Sequence, residues 1–179
     1  MATTVFDLTA HSPRELLALY SQILTELIRR RIIWSRNAPA GDYAELLVAE
    51  AFDGGIARAS EKSWDVRVHD RLLQVKCRVT DASAKKSQTY SPFRSFEFDA
   101  CVFVLLDSVT YEVVSAIEVD RQVVEESSSL SAWVAGRRVT VKQVLSLQEK
   151  IDVTERLRKA QADIDDRGRR AIRDGESTA

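Results

Sequence analysis

The sequence predicts an α/β protein, a β-sheet core with a helical arm at each end. Three observations predict it. The runs Ser63 to Val68 and Leu72 to Val79 alternate with period two, as half-buried strands do. Phe98 to Leu106 and Tyr111 to Ala116 look like two further strands, the first a nearly unbroken apolar run. Helical spacing of apolar residues brackets this region on both sides.

Taken in order, the first helix opens at Ser12-Pro13-Arg14-Glu15, with Ser12 as N-cap, proline at the first helical position and Glu15 completing a capping box. Leu16, Tyr20, Ile23 and Leu27 carry it to about Ile33. Asn37 to Gly41, containing Pro39, reads as a loop. A second helix, Asp42 to Phe52, is apolar on nearly every side and belongs against a sheet. Gly54-Gly55 ends it, and Ile56 to Ser60 can form a first strand. The two alternating strands follow, joined by a tight turn at His69-Asp70-Arg71. Asp81 to Ser95, rich in Ser, Lys and Gln, reads as a mobile loop or a short helix beside a cleft. Strands at about 99–106 and 110–119 lead to a short helix near Asp120 to Glu126. Ser127 to Ser129 is a loop, and Trp133 to Val141 a hairpin turning at Gly136. Leu147 to Arg173 reads as a charged helix with a narrow apolar seam of Val153, Leu157, Ala160, Ile164 and Ala171. That seam packs either on its own core or on a second subunit. Gly175 to Ala179 reads as a disordered end.

A chain of 179 residues divides into an N-terminal arm (1–36), a core domain (37–145) and a C-terminal helix with its tail (146–179). Two cysteines, no secretory segment and no apolar run near membrane-spanning length point to a reducing cytoplasm. Cys77 and Cys101 lie in apolar strand runs and read as buried thiols. His11 and His69 are the only histidines, one before a helix and one in a turn, which argues against histidine-based catalysis. A net charge of −1 provides no global basic field for nucleic acid. Positive charge is grouped instead, at Arg29 to Arg31, Lys85-Lys86 and Arg137-Arg138.

The chemistry concentrates in the alternating hairpin. In the first strand Trp64, Val66 and Val68 share one face and leave Asp65 and Arg67 on the other. In the second, Leu73, Val75, Cys77 and Val79 leave Gln74, Lys76 and Arg78 opposite. A two-residue turn sets Asp65 across from either Gln74 or Lys76, and cross-strand partners project from one face. An acid, an amide and a lysine are thereby gathered on one sheet surface. Plainer readings exist for each residue. Asp65 and Lys76 can be an ordinary cross-strand ion pair. Asp42-Tyr43-Ala44-Glu45 has the form of a capping box, with Asp42 as N-cap and Glu45 three residues on. Glu50 reads as solvated or salt-bridged.

Asp65, Gln74-Val75-Lys76 and the upstream Glu45 together resemble the PD-(D/E)XK nuclease superfamily, whose core sets an Asp on one strand, an acid or Gln two before a Lys on the next, and a Glu on the preceding helix. The resemblance covers about residues 37 to 120. It looks closest to the Gln-x-Lys branch that includes Mrr-like restriction enzymes, and to a small bacterial group with an Arg-Asn-x-Pro-x-Gly-Asp motif, here Arg36 to Asp42. Trp64 stands where the family's proline would be, and Gln74 replaces its second acid. The resemblance implies a restriction-endonuclease-like core, a central mixed β-sheet flanked by helices. It implies a Mg²⁺-dependent endonuclease acting on DNA, with Mn²⁺ able to substitute, in restriction or phage defence. Asp65 and Glu45 would hold the metal, Gln74 would add a neutral ligand, and Lys76 would stand beside the attacking water and the phosphate. Arg36, Arg78, Lys85 and Lys86 are the candidate contacts to the nucleic acid.

Two other readings remain. A non-catalytic nucleic-acid-binding or assembly module could keep the fold, and a structure-specific nuclease for junctions or damaged DNA would share the site. Cutting both strands of a duplex calls for two such sites, so a homodimer is expected, through the first helix or the C-terminal seam.

Overall fold

The computed structural model describes residues 8–36, 39–58, 63–81, 88–131 and 135–176. The chain is an α/β protein in which a mixed six-stranded sheet is flanked by helices. No helix among the described residues is long and apolar enough to cross a membrane.

Helix α1, Pro13–Arg29, begins with the expected capping box of Ser12 and Glu15. It stops earlier than the periodicity suggests. Arg31 takes a left-handed φ of 59°, and the N–H groups of Arg31 and Ile32 turn back to Ile28 O and Leu27 O, each at 2.9 Å. That pattern closes a helix end even without glycine. Helix α2, Pro39–Phe52, starts three residues before the expected Asp42, using proline where its missing N–H costs nothing. Asp42 therefore lies inside the helix and is not its N-cap. Its Oδ2 accepts from the N–H groups of Trp34 at 3.0 Å and Ser35 at 2.7 Å, tying down the segment before the helix.

Strand β1 is Gly55–Ile56 and ends before Ala57, short of the expected Ile56 to Ser60, of which residues 59–60 lie outside the described residues. Gly54 before it is required by contact, since a Cβ there would stand 2.8 Å from Arg67 O. Strands β2 (Val66–Val68) and β3 (Arg71–Thr80) form the predicted antiparallel hairpin. Its two-residue loop places His69 at φ 53°, a conformation histidine tolerates better than most residues. β3 then runs parallel to β4 (Ala100–Asp107), which pairs antiparallel with β5 (Val113–Asp120).

The remaining elements are α3 (Arg121–Ser127), β6 (Ser129–Ser131), β7 (Gly136–Arg138), α4 (Val141–Ser146), β8 (Ile151–Asp152) and α5 (Thr154–Glu176). β6 and β7 make the late hairpin, but Gly136 lies in its second strand and not at its turn. A Cβ on Gly136 would stand 2.5 Å from Phe93 O, so the hairpin can close on residues 92–93 only with glycine there. The C-terminal helix begins at Thr154, and the stretch before it adds β8 to the free edge of β5. Sheet order is β1-β2-β3-β4-β5-β8.

Both faces of the sheet are covered. On one, α2 and α5 bury Leu47, Val48, Val66, Leu73, Val102 and Leu157. The seam residues Val153, Leu157, Ala160 and Ile164 are all buried, so the seam docks on its own core. Arg156 reinforces it by donating to Ala51 O at 2.6 Å and lying 4.0 Å over the Phe52 ring. Glu50 is salt-bridged, to Arg167 at 2.8 Å. On the other face, α3, α4 and residues 90–98 enclose an aromatic cluster of Tyr90, Phe93, Phe98 and Phe103. The described part of the expected loop, 88–95, is thus an extended cover bridged to Thr140 and Arg137. It forms no helix, and residues 82–87 lie outside the described residues.

Candidate active site

The β2–β3 register decides what Asp65 faces. Val66 pairs with Leu73 and Asp65 N–H donates to Leu73 O at 2.9 Å, so Asp65 stands opposite Gln74. Its Oδ2 accepts from Gln74 Nε2 and, at 2.7 Å, from the Val75 N–H. The alternative partner is excluded: Lys76 forms no ion pair within 4.0 Å among the described residues. Instead its Nζ lies 4.9 Å from the centre of the Phe93 ring, a cation–π contact. Gln74 and Lys76 stand beside Cys101 and Phe103 on β4, so the trio lies on the aromatic face of the sheet. Trp64 packs there too, not beside Val66 as alternation alone suggests, because the chain bends before β2 begins. The Arg67 guanidinium covers its ring at 5.3 Å.

Glu45 comes from α2, on the opposite layer, yet its carboxyl lies within electrostatic reach of this trio. Burial, then the charges of Asp65 and Asp42, push it up to about 8, and Lys76 only partly offsets them. Burial also raises Asp65, against the Val75 N–H, the Lys76 charge and the Gln74 amide. Two half-buried carboxyl groups are therefore held in a site that resists a second negative charge. Such a pair suits a cation. Asp65, Glu45 and the Gln74 amide oxygen are all hard oxygen donors, the kind Mg²⁺ or Mn²⁺ accepts, and Mg²⁺ is commonly bound through one or two carboxylates plus water. Among the described residues no group of three or more His, Cys, Asp or Glu gathers as a denser cage.

Two of the four expected nucleic-acid contacts, Arg36 and Arg78, are already engaged within the fold. Arg36 donates to Ser21 O at 3.2 Å and Thr25 Oγ1 at 2.9 Å, fastening the chain after α1 to that helix. Arg78 donates to Gln88 Oε1 at 3.1 Å and Thr89 O at 3.3 Å. Lys85 and Lys86 lie outside the described residues. Arg137 holds Ser128 Oγ and O, each at 2.7 Å, and so serves the hairpin. Cys101 is buried and Cys77 half-buried, both free. Burial pushes the Cys77 thiol up to about 12, which leaves it unreactive.

Sequence reasoning missed three contributors. The Val75 N–H is a backbone donor that any residue but proline supplies. Phe93 sits in a polar-looking stretch whose signal was the closely spaced Phe93, Phe96 and Phe98. Ser63 Oγ donates to Glu97 Oε2 at 2.8 Å and links that stretch to the segment bearing Asp65, just before β2. No protein-family model matches this chain, and no curated protein matches it.

Proposed function

We propose that this chain is a Mg²⁺-dependent endonuclease with a restriction-endonuclease-like core, hydrolysing DNA phosphodiester bonds in the cytoplasm, in restriction or phage defence. The observation that carries the reading is the gathering of Asp65, Gln74 and Lys76 on one sheet face with the Glu45 carboxyl in electrostatic contact. Asp65 and Glu45 would hold the metal and Gln74 Oε1 would support it, while the Gln74 amide orients Asp65. When bound, the metal would polarise the phosphate and lower the pKa of the attacking water. Lys76 supplies positive charge to the phosphate oxygens as charge accumulates there. The Phe93 ring restrains its long side chain, so less rotamer freedom is lost when substrate arrives. Water adds to phosphorus, one P–O ester bond breaks, and the water's proton ends on the leaving oxygen or in solvent.

A second reading, a nucleic-acid-binding module without catalysis, draws on the neutral Gln74 and on the engagement of Arg36 and Arg78 within the fold. Incubating the protein with supercoiled plasmid plus Mg²⁺, Mn²⁺ or EDTA separates the two. Nicked or linear product with metal and none with EDTA supports the nuclease. Retarded but uncut DNA under all three conditions supports the binding module.

A further inference from the structure

Helix α1 is well specified locally but hardly held by the rest of the molecule. It has a full capping box and a defined end, yet of its 17 residues only Leu24 is buried. Tertiary packing of an amphipathic face supplies most of a helix's stability in proteins, and α1 has little of it. Its apolar residues are not scattered. Leu16, Tyr20, Ile23 and Leu27 follow the 4-3-4 spacing of a helix-pairing seam, with Tyr20 and Ile23 each 49% exposed and Leu17 beside them 69% exposed. Tyr20, Ile23 and Leu27 of the seam line one wall of a groove of about 1010 Å³ whose other wall is α5, including Gln161, Ile164 and Gly168.

Gly168 is the second observation. Glycine in the middle of a helix is unfavourable, and the described residues offer no reason for it: among them a Cβ added at Gly168 meets nothing within 4 Å. A close approach by something outside the chain would explain it.

We propose that the α1–α5 groove is a homodimer interface, in which α1 of a second copy lies antiparallel against α1 and enters the groove beside Gly168. The seam is self-complementary in that arrangement. A two-fold axis between Ser21 and Gln22 stacks Leu16 on Leu27 of the second copy and Tyr20 on its Ile23, using all four seam positions. It also brings the acidic first turn, Glu15, to the basic last turn, Arg29 and Arg30, of the other helix, whereas parallel pairing would set like ends together. Size points the same way. A helix of 17 residues is about 25 Å long and ~10 Å wide, so one helix face covers too little for a stable interface of about 800 Å² per side. Engaging the α5 wall as well enlarges the contact. A lipid surface fits worse, because α1 balances Arg14 and Arg29 against Glu15 and Glu26 and lacks the cationic face of a membrane-bound helix.

The inference stands apart from the nuclease reading, and its test is a mass. Light scattering on the full chain at high micromolar concentration should give about 40 kDa, twice the 20.1 kDa of one chain. Ile23→Asp and Gly168→Leu should each weaken the dimer at least tenfold while circular dichroism reports an intact fold. Leu130→Asp is the control: that side chain is 78% exposed but lies on the β6–β7 hairpin, and the mass should not change. Glu15→Gln, which preserves the capping box, should weaken the dimer in low salt and lose its effect in high salt. A 20 kDa particle, or a dimer indifferent to both Ile23→Asp and Gly168→Leu, overturns the proposal. So does a monomer that sediments with phosphatidylcholine–phosphatidylserine vesicles through Ile23, which would assign the face to lipid.

Discussion

Glu45 is opposed by burial, Asp65 and Asp42 together, and its carboxyl stays protonated up to about pH 8. Because the unfolded chain releases that proton near the ordinary carboxylate range, folding binds a proton between those limits. The stability this group contributes is full below the unfolded value and is lost as pH rises through the folded one. Glu45→Gln removes the penalty. Urea denaturation should show the variant equal to wild type in mild acid and more stable above pH 8, by ~1–3 kcal/mol. A cation competes with the same proton, so Mn²⁺ affinity in wild type should climb with pH toward 8, and Glu45→Gln should flatten and weaken it. Calorimetric titration at several pH values reads this, and equal affinity in both proteins would reduce Glu45 to a structural residue. Gln74→Glu is the converse. It replaces the amide that donates to Asp65 with a third carboxylate, so without metal it should cost ~1–3 kcal/mol. With metal it should bind more tightly than wild type.

At the scale of elements, α5 belongs to the main core, with Leu157 fully buried beside Leu47 and Val66. Leu157→Ala should destabilise the protein by ~2–4 kcal/mol in urea denaturation. Truncation from Ser146 should likewise unfold the domain, not release a folded monomer. Gly136→Ala should cost ~1–3 kcal/mol, because its methyl would strike Phe93 O. The hairpin strands and the two buried strands were legible in the sequence because period-two alternation and continuous apolar runs are local signals. β8 was not, since two residues are too few to show a period and only the free edge of β5 makes Ile151–Asp152 a strand. Helix α4, six residues long, was not foreseen for the same reason: only its first residue, Val141, fell in an expected element, the end of the late hairpin. Alternation also misplaced Trp64, because it holds only inside a strand and β2 begins at Val66. The gathering of Asp65, Gln74 and Lys76 on one face was legible because a two-residue turn leaves few registers. The Phe93 contact was not, because it arises from residues 90–98 packing over the sheet from far along the chain.

On the scale of the whole molecule, two covered sheet faces make a stable platform, and the site lies where the aromatic face meets the hairpin. Lys76 and Asp65 are half-buried and belong to neither apolar cluster, so their removal should leave the fold intact. Asp65→Ala removes one acceptor, shared by the Gln74 amide and the Val75 N–H, and leaves the β2–β3 backbone pairing in place. The central claim is that these two side chains cleave DNA. It is tested most directly by comparing wild type, Lys76→Ala and Asp65→Ala on supercoiled plasmid with Mg²⁺, each first checked for folding by circular dichroism. The account predicts cutting by wild type and a loss of at least ~10²-fold in both variants. Near-full activity in either folded variant, or intact plasmid from wild type in both Mg²⁺ and Mn²⁺, would contradict it.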